Sequence, residues 1–342
     1  TDKAAALADM YRVLQPGGRL LRVLFDRKVE MDEKFLRRQL ERNQLRLPDE
    51  IYDVTAWSLP LAFDVVCLST SESPEIANRP WQPGDKPEMP QLEQATVAYL
   101  IPPTDGAVKM MSHLLRTGLR IHVADESFTI GGREYERGTL IAKVSQNDDT
   151  LHGAIDEARH EFQVEVVPTN TAYVQKGAHM GGPKVKWVKP PRVLIVVNRP
   201  TNYASGHTWY LFDEVLAYPT TRVKGSDFSR VDLNKFNTII LPDGRYSAGD
   251  GFGESFAKQI SGWVADGGTL ITLRGATSWA AGDDINLLKN KLLKRKVLVA
   301  KKSTDEDEKP ETEDVTPDNV PGAFFHADVF QKHWVTFGYR PH

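Results

Sequence analysis

The feature that most constrains this chain is the stretch from Arg192 to Trp279, where strand-length apolar runs alternate with helix-length segments. Arg192–Val197 (RVLIVV) reads as a strand buried on both faces, because an unbroken β-branched run has no polar side to turn to water. Thr238–Leu241 leads into Pro242-Asp243-Gly244, the helix Gly253–Ala265 follows, and Gly267-Gly268 opens the strand Thr269–Leu273. Alternation of this kind predicts a parallel sheet flanked by helices. The last strand ends in a sharp turn, Arg274-Gly275-Ala276-Thr277, with Ser278 beside it. In hydrolases of doubly wound type, such a turn holds a Ser or Cys with its reactive atom above the sheet. Here Ala276 stands nearest the nucleophile position. The only cysteine, Cys67, lies far upstream in the apolar run Val65-Val66-Cys67-Leu68. With no adjacent His, Lys or Arg to lower its pKa, it reads as a buried structural residue.

The chain has 342 residues, enough for two or three domains with cores of their own. Its 43 basic and 46 acidic residues leave a formal net charge of −3, so no global field draws it to nucleic acid or anionic lipid. Lys289–Lys302 (KNKLLKRKVLVAKK) is basic but lacks interleaved aromatics and runs into an acidic stretch. It therefore reads as a solvated, charge-compensated segment rather than a nucleic-acid site. No apolar run approaches the roughly 20 residues that span a bilayer. One cysteine excludes an intramolecular disulfide framework. A chain that opens on Thr1 and stops at His342 without a helix stop signal reads as a fragment or processed form, in which no targeting signal is legible.

Helix, strand and breaker signals predict an α/β protein of two or three Rossmann-like or flavodoxin-like units with mainly parallel sheets. Residues 1–68 form a partial unit and junction: the helix Asp2–Leu14, the strand Arg19–Phe25, the amphipathic helix Met31–Asn43 and the segment Asp53–Pro60. Residues 69–95 are rich in proline and read as a linker or irregular excursion. A second unit, residues 96–185, comprises the strand Val97–Ile101, the helix Ala107–Thr117 closed by Gly118 and the strand Leu119–Val123. It continues with a hairpin around Gly131-Gly132, the strand Thr139–Val144, the helix Thr150–Phe162 and the strand Val164–Val167. The opening of the chain resembles a shortened copy of this unit, Lys3–Leu14 matching Ala107–Thr117 and Pro16–Phe25 matching Gly138–Val144. Gly177–Pro191 is rich in Gly, Pro and Lys and reads as the boundary to a last domain, residues 186–342. Within that domain Ile285–Lys296 is a basic helix candidate, and Ser303–Asp318 has no apolar anchor and reads as a solvated, disordered loop.

Several stretches carry a family resemblance: Arg19–Phe25 (RLLRVLF), Ile51–Ala62 (IYDVTAWSLPLA), Ala204–Asp213 (ASGHTWYLFD), Thr238–Gly244 (TIILPDG), Gly262–Leu273 (GWVADGGTLITL) and Phe337-Gly338-Tyr339. Together they resemble the C-terminal region of bacterial zinc carboxypeptidases of the carboxypeptidase A-like superfamily, which carry a class I glutamine amidotransferase-like domain after the metallopeptidase domain. The resemblance implies a secreted or periplasmic parent protein acting in proteolysis. It also implies a zinc site in an upstream peptidase domain that is this region's partner, and no cofactor in the chain itself. Such peptidases hold zinc through His-x-x-Glu and a distant His, yet none of the nine histidines here has a Glu three residues on. The nearest approach is His122-x-x-Asp125 at a strand end, which a solvated turn explains as well.

Active amidotransferase domains use a Cys at the elbow with a His and Glu downstream, and backbone amides of a Gly-rich turn hold the oxyanion. By that resemblance Pro242-Asp243-Gly244 matches the turn with Asp243 in place of a Gly, and the elbow at Ala276, Thr277 and Ser278 is degenerate. Thr277 or Ser278 would need a base, for which His326 or His333 are the candidates if the acidic loop folds back. Asn198, Arg199, Tyr203, Ser205, His207, Asp243, Gly244, Arg245, Tyr246 and Arg274 fall on loops after strands or at a helix start, where such sheets bind ligands. Gly206 and His207 are expected to open a helix Thr208–Leu216, with Trp209, Leu211, Phe212 and Val215 as its buried face. Three functions remain open on these residues: a non-catalytic region that scaffolds or positions substrate and partners, a divergent amidohydrolase using Thr277 or Ser278, and a small-ligand module at the crevice.

Overall fold

The computed structural model describes residues 82, 86, 88–197, 203–289, 295–299, 311–315 and 333–338. The elements expected between residues 1 and 68, Cys67 included, lie outside the described residues, as do Asn198, Arg199 and His326. What is described is a mixed α/β structure with one parallel sheet of four strands and three antiparallel sheets.

The first of these sheets is built from β1 (Ala98–Ile101), β2 (Ile121–Ala124), β5 (Leu140–Lys143), β6 (Val167–Thr169) and β8 (Val185–Trp187), in the order β6-β1-β5-β2-β8. Helices α1 (Asp105–Arg116) and α2 (Leu151–Phe162) cover one face. The small sheet β4-β3-β7, from β3 (Phe128–Ile130), β4 (Arg133–Tyr135) and β7 (Lys176–Gly177), covers the other. Successive side chains of a strand point to opposite faces, so Tyr99 and Ile101 enter the helix-side core while Ala98 and Leu100 enter the hairpin-side core. That explains why β1 is apolar at every position. Thr104 caps α1, its hydroxyl accepting from the amide of Ala107 at 3.1 Å, and Asp105 sits in the first turn, where the helix dipole favours a negative charge.

All neighbouring pairs in this sheet are antiparallel, so the expectation of mainly parallel sheets fails here. The cause is β5: the chain leaves β2, makes the β3–β4 hairpin and returns between β1 and β2, running against both. Strand and helix spacing look the same for either arrangement, since periodicity carries no strand direction.

The parallel sheet contains β9 (Val193–Val197), β10 (Thr220–Lys224), β11 (Thr238–Leu241) and β12 (Thr269–Thr272), in the order β10-β9-β11-β12. Helix α3 (Tyr203–Tyr210) runs into a π-helical turn, Leu211–Val215; α4 (Glu254–Ala265) follows β11, and α5 (Gly275–Ala281) follows β12. Leu194, Val196, Ile239 and Leu241 pack on one face with Phe228, Phe252, Phe256, Ile260 and Trp263. Val193, Ile195 and Ile240 form the opposite face with Phe212 against them. Gly268 is required by packing: a Cβ there would lie 2.4 Å from the Trp263 ring, whose Nε1 donates to the Leu233 carbonyl.

The Gly-, Pro- and Lys-rich stretch contributes strands to the first sheet and to the small sheet that covers it. Lys176–Gly177 forms β7 and Val185–Trp187 forms β8, the edge of the first sheet. A short edge strand rich in lysine is a common way to keep an edge from pairing with other chains, and its composition hides it among loop residues. Tyr218, Phe212 and Leu216, from the segment after α3, pack onto the helix-side core of the first sheet, and the Ser112 hydroxyl donates to the Leu216 carbonyl at 2.7 Å. Two further expectations are corrected downstream. Arg295–Val299, at the end of the expected basic helix, is β13, and Glu311–Val315, inside the expected disordered loop, is β14. They pair antiparallel, with Lys296 in register with Asp314. No described helix is long and apolar enough to cross a membrane.

Residues 333–338 return to the first sheet and dock on Arg137. Its guanidinium donates to Thr336 Oγ1 at 2.9 Å, to the His333 carbonyl at 2.7 Å and to the Asp125 carbonyl at 3.2 Å, and lies 4.7 Å from the Phe337 ring centre. Gly138, at φ 92°, leaves room for that ring: a Cβ there would stand 2.8 Å from Phe337 Cβ. We expect Arg137→Ala and Gly138→Val to speed amide exchange at residues 333–338 by about tenfold or more, with the β1–β5 amides still protected. Hydrogen-exchange mass spectrometry checks this, and unchanged exchange at 333–338 refutes it.

Candidate functional site

In an open parallel sheet, the loops beyond the carboxyl ends of the strands diverge where strand order reverses, leaving a crevice. Here the reversal lies between β9 and β11. The crevice walls among the described residues are Pro242–Tyr246 after β11 and Leu273–Gly275 after β12; the loop after β9, with Asn198, lies outside them.

The turn after β12 has the strained shape of a strand-to-helix elbow, and its apex is Arg274, at φ 45° and ψ −106°. A non-glycine residue rarely occupies that region, because its Cβ crowds the backbone. Ala276, expected nearest the nucleophile position, lies two residues after that apex. Ala276 is fully buried in the core that Phe256 and Phe252 line. Sequence spacing locates the turn, but it does not tell which of four consecutive residues takes the positive φ, and Gly275 draws attention away from its neighbour.

Asp243 holds the elbow in place. Its Oδ1 accepts from the Gly275 amide at 2.9 Å, and its Oδ2 lies 3.6 Å from Arg274 Nε. Gly275 is glycine for a steric reason: a Cβ there would sit 2.2 Å from the Gly244 carbonyl oxygen. Tyr246, buried beneath, donates its hydroxyl to the Pro242 carbonyl at 2.7 Å; burial and the nearby Asp243 charge push its pKa far up, so it stays a neutral donor. Arg245 is exposed. Asp243 and Gly244 thus act first as turn residues. An Asp directly after a strand and before a Gly was the available signal, since Asp readily accepts backbone N–H bonds in turns.

Thr277 directs its hydroxyl back to the Thr272 carbonyl at 2.9 Å, with Thr272 Oγ1 at 3.0 Å, and Ser278 is exposed. No base is among the hydrogen-bond partners of Thr277 in the described residues, and His333 lies by Arg137 on the first sheet. Ser205 is buried and His207 is exposed, both inside α3, which starts at Tyr203. The expected helix opening at Gly206 and His207 is thus corrected, because a single glycine is tolerated within a helix. Trp209 and Leu211 were expected in the core but are 37% and 46% exposed, while Phe212 and Val215 are partly buried. From Leu211 onward the π turn breaks the 3.6-residue period, so Phe212 and Val215 do not continue the face that Trp209 sets in α3. Trp209 instead carries the Arg222 guanidinium 4.0 Å over its ring.

His122 and Asp125 do not converge. Asp125 Oδ2 pairs with Lys186 at 2.6 Å, which with Arg137 holds its carboxyl below the usual range. His122 is buried in the first sheet with Nδ1 lacking a hydrogen-bond partner. Among the described residues, no group of three or more His, Cys, Asp or Glu could hold a metal ion. A scan against protein-family models, a search of curated proteins and a search of solved structures each found no match.

Burial, with Lys143 and Arg120 as the nearby cations, lowers the His122 pKa below its ordinary value of about 6.5. The unfolded chain therefore binds this proton first. The contribution is fully present above about pH 6.5 and is lost as pH falls toward the folded-state pKa. We expect the urea midpoint to drop through that window in the wild type and to drop less in His122→Leu. Parallel pH curves for the two proteins refute it.

Proposed function

We propose that this chain is the non-catalytic C-terminal region of a zinc carboxypeptidase-like protein, acting in proteolysis in the periplasm or outside the cell. In this reading the parallel-sheet unit is a Rossmann- or flavodoxin-like domain of glutamine amidotransferase type. It scaffolds and positions substrate or partners for an upstream peptidase domain. The observation that carries the reading is Arg274 at the elbow apex. An arginine side chain offers neither a nucleophilic hydroxyl nor a thiol, so a residue of this type at the elbow does not supply the attacking atom of an acyl transfer.

Zinc belongs to the upstream domain in this reading. The described residues offer no donor set that fits it, so no step here runs through a metal. When bound, zinc supplies a polarised water for attack on the scissile carbonyl. The alternative of an amidohydrolase using Thr277 or Ser278 has less support, because the Thr277 hydroxyl is spent on its own strand and Ser278 lies in solvent. The small-ligand reading keeps the support of Asp243, Arg245 and Arg274, charged residues on the loops after β11 and β12.

The test uses the full-length gene product and this chain side by side. We expect the full-length protein to release C-terminal residues from peptides in a zinc-dependent reaction, changed by less than about twofold in Thr277→Val and Ser278→Ala. We expect this chain by itself to cleave neither peptides nor primary amides. Turnover by this chain that disappears in Thr277→Val overturns the proposal.

A further inference from the structure

We propose that the free edge of β12 pairs antiparallel with β12 of a second copy of this chain, joining two parallel sheets across a two-fold axis. The first support is the backbone. The Thr269 amide donates to the Asn237 carbonyl and the Leu273 amide to the Leu241 carbonyl, each at 3.0 Å. Backbone groups alternate in direction along a strand, so those of Leu270 and Thr272 point away from β11. The Thr277 hydroxyl takes the Thr272 carbonyl. The Leu270 amide and carbonyl and the Thr272 amide have no partner among the described residues. Such a row of unpaired groups is ready to accept another strand.

The second support is that β12 lacks what guards the other edges. β6 carries Pro168, β8 carries Lys186, and β10 carries Arg222 and Lys224. Proline and charge keep an edge strand from pairing with other chains. β12 has neither, and Leu273 extends it with another apolar residue. All of its residues are partly exposed, and Leu273 is 39% exposed. Leu270 lies on one face of the sheet and Ile271 on the other, each only partly buried. An added strand therefore removes apolar surface from water on both faces.

The third argument selects the occupant. Arg274 follows the strand, Asp266 precedes it, and both are exposed. An antiparallel copy brings Arg274 of each chain to the Asp266 end of the other, and both meetings are attractive. A parallel copy sets like charges together at each end, and an unrelated peptide brings no matched pair of charges. The two-fold arrangement also closes. Each copy spends its β12 edge, and the opposite edge of the sheet, β10, is guarded by Arg222 and Lys224, so assembly stops at a dimer.

The experiment measures sedimentation velocity and NMR-detected hydrogen exchange of this chain over a wide range of concentration. A monomer–dimer equilibrium is expected, with a dissociation constant on the order of 10 μM. The Leu270 and Thr272 amides are expected to exchange about tenfold more slowly in the dimer. Ile271→Lys sets two like charges beside the two-fold axis and is expected to weaken the dimer about tenfold or more. Because Ile271 also packs on the sheet, a second set of variants leaves the strand intact. Asp266→Arg and Arg274→Asp are each expected to weaken the dimer about threefold or more, and the two combined to restore it to within about twofold. A monomer at every concentration, exchange at Leu270 and Thr272 that ignores concentration, or charge reversals that their combination does not rescue overturns the proposal. So does a folded Ile271→Lys that dimerises like the wild type. A monomer whose Leu270 amide is protected only on adding an extended Thr-Val repeat peptide also overturns it, and assigns the edge to peptides instead. Neither measurement involves turnover, so the result stands apart from the non-catalytic reading.

Discussion

The parallel-sheet unit turns on one carboxylate. Asp243, at the end of β11, accepts from the first amide after the β12 elbow, and so ties two neighbouring strand ends together across the crevice floor. Its position requires Gly244 and Gly275 to touch backbone to backbone, which only a residue without a Cβ at 275 permits. With that contact made, α5 leaves the elbow in the direction that buries Ala276 among Phe252, Phe256 and Trp279. Trp279 in turn donates its Nε1 to the Phe252 carbonyl, fastening the helix to the loop before α4. A carboxylate accepting a backbone N–H in a partly enclosed turn is a charge-assisted bond, stronger than a neutral one, and suited to holding a strained residue next to it.

The other half of the structure solves a different problem. The first sheet is covered on both faces, by α1 and α2 on one side and by the β3–β4–β7 sheet on the other. Its strands therefore carry apolar residues at consecutive positions, and polar groups that fall there must find partners inside. The Tyr99 hydroxyl does so, accepting from the Ala95 amide and sharing a 2.7 Å hydrogen bond with His152 Nδ1. Arg159 does so by pairing with Asp156 and donating to the Pro90 carbonyl. His122 Nδ1 does not, and burial together with the Lys143 charge disfavours the protonated ring.

Much of the site was legible as a place and little of it as chemistry. The run Thr269–Thr277 announced a strand, a turn and a helix, and each is present. Arg274 was among the crevice candidates, but nothing in the letters distinguished it as the apex. Thr277 looked like a free hydroxyl until its bond to Thr272 appeared. Trp209 and Leu211 fit a helical spacing, yet both are exposed, and the π turn that starts at Leu211 breaks the period the spacing assumed. β8 and β10 escaped notice for one reason: both are edge strands with mixed composition, and an edge strand needs only one apolar side or none.

Local sequence settled the elements whose signals are strong within a few residues, because capping residues, glycine stops and side-chain periodicity act over that range. It therefore determined the caps of α1, the strands β1, β5, β9, β11 and β12, and the existence of an elbow after Thr272. Strand direction in the first sheet, the docking of residues 333–338 on Arg137 and the burial of Ala276 beside an exposed Arg274 were decided only in three dimensions. Each depends on contacts between residues far apart in the chain or on which neighbour takes a strained φ. Such choices are made by the sum of packing and hydrogen bonding, not by any short stretch of letters.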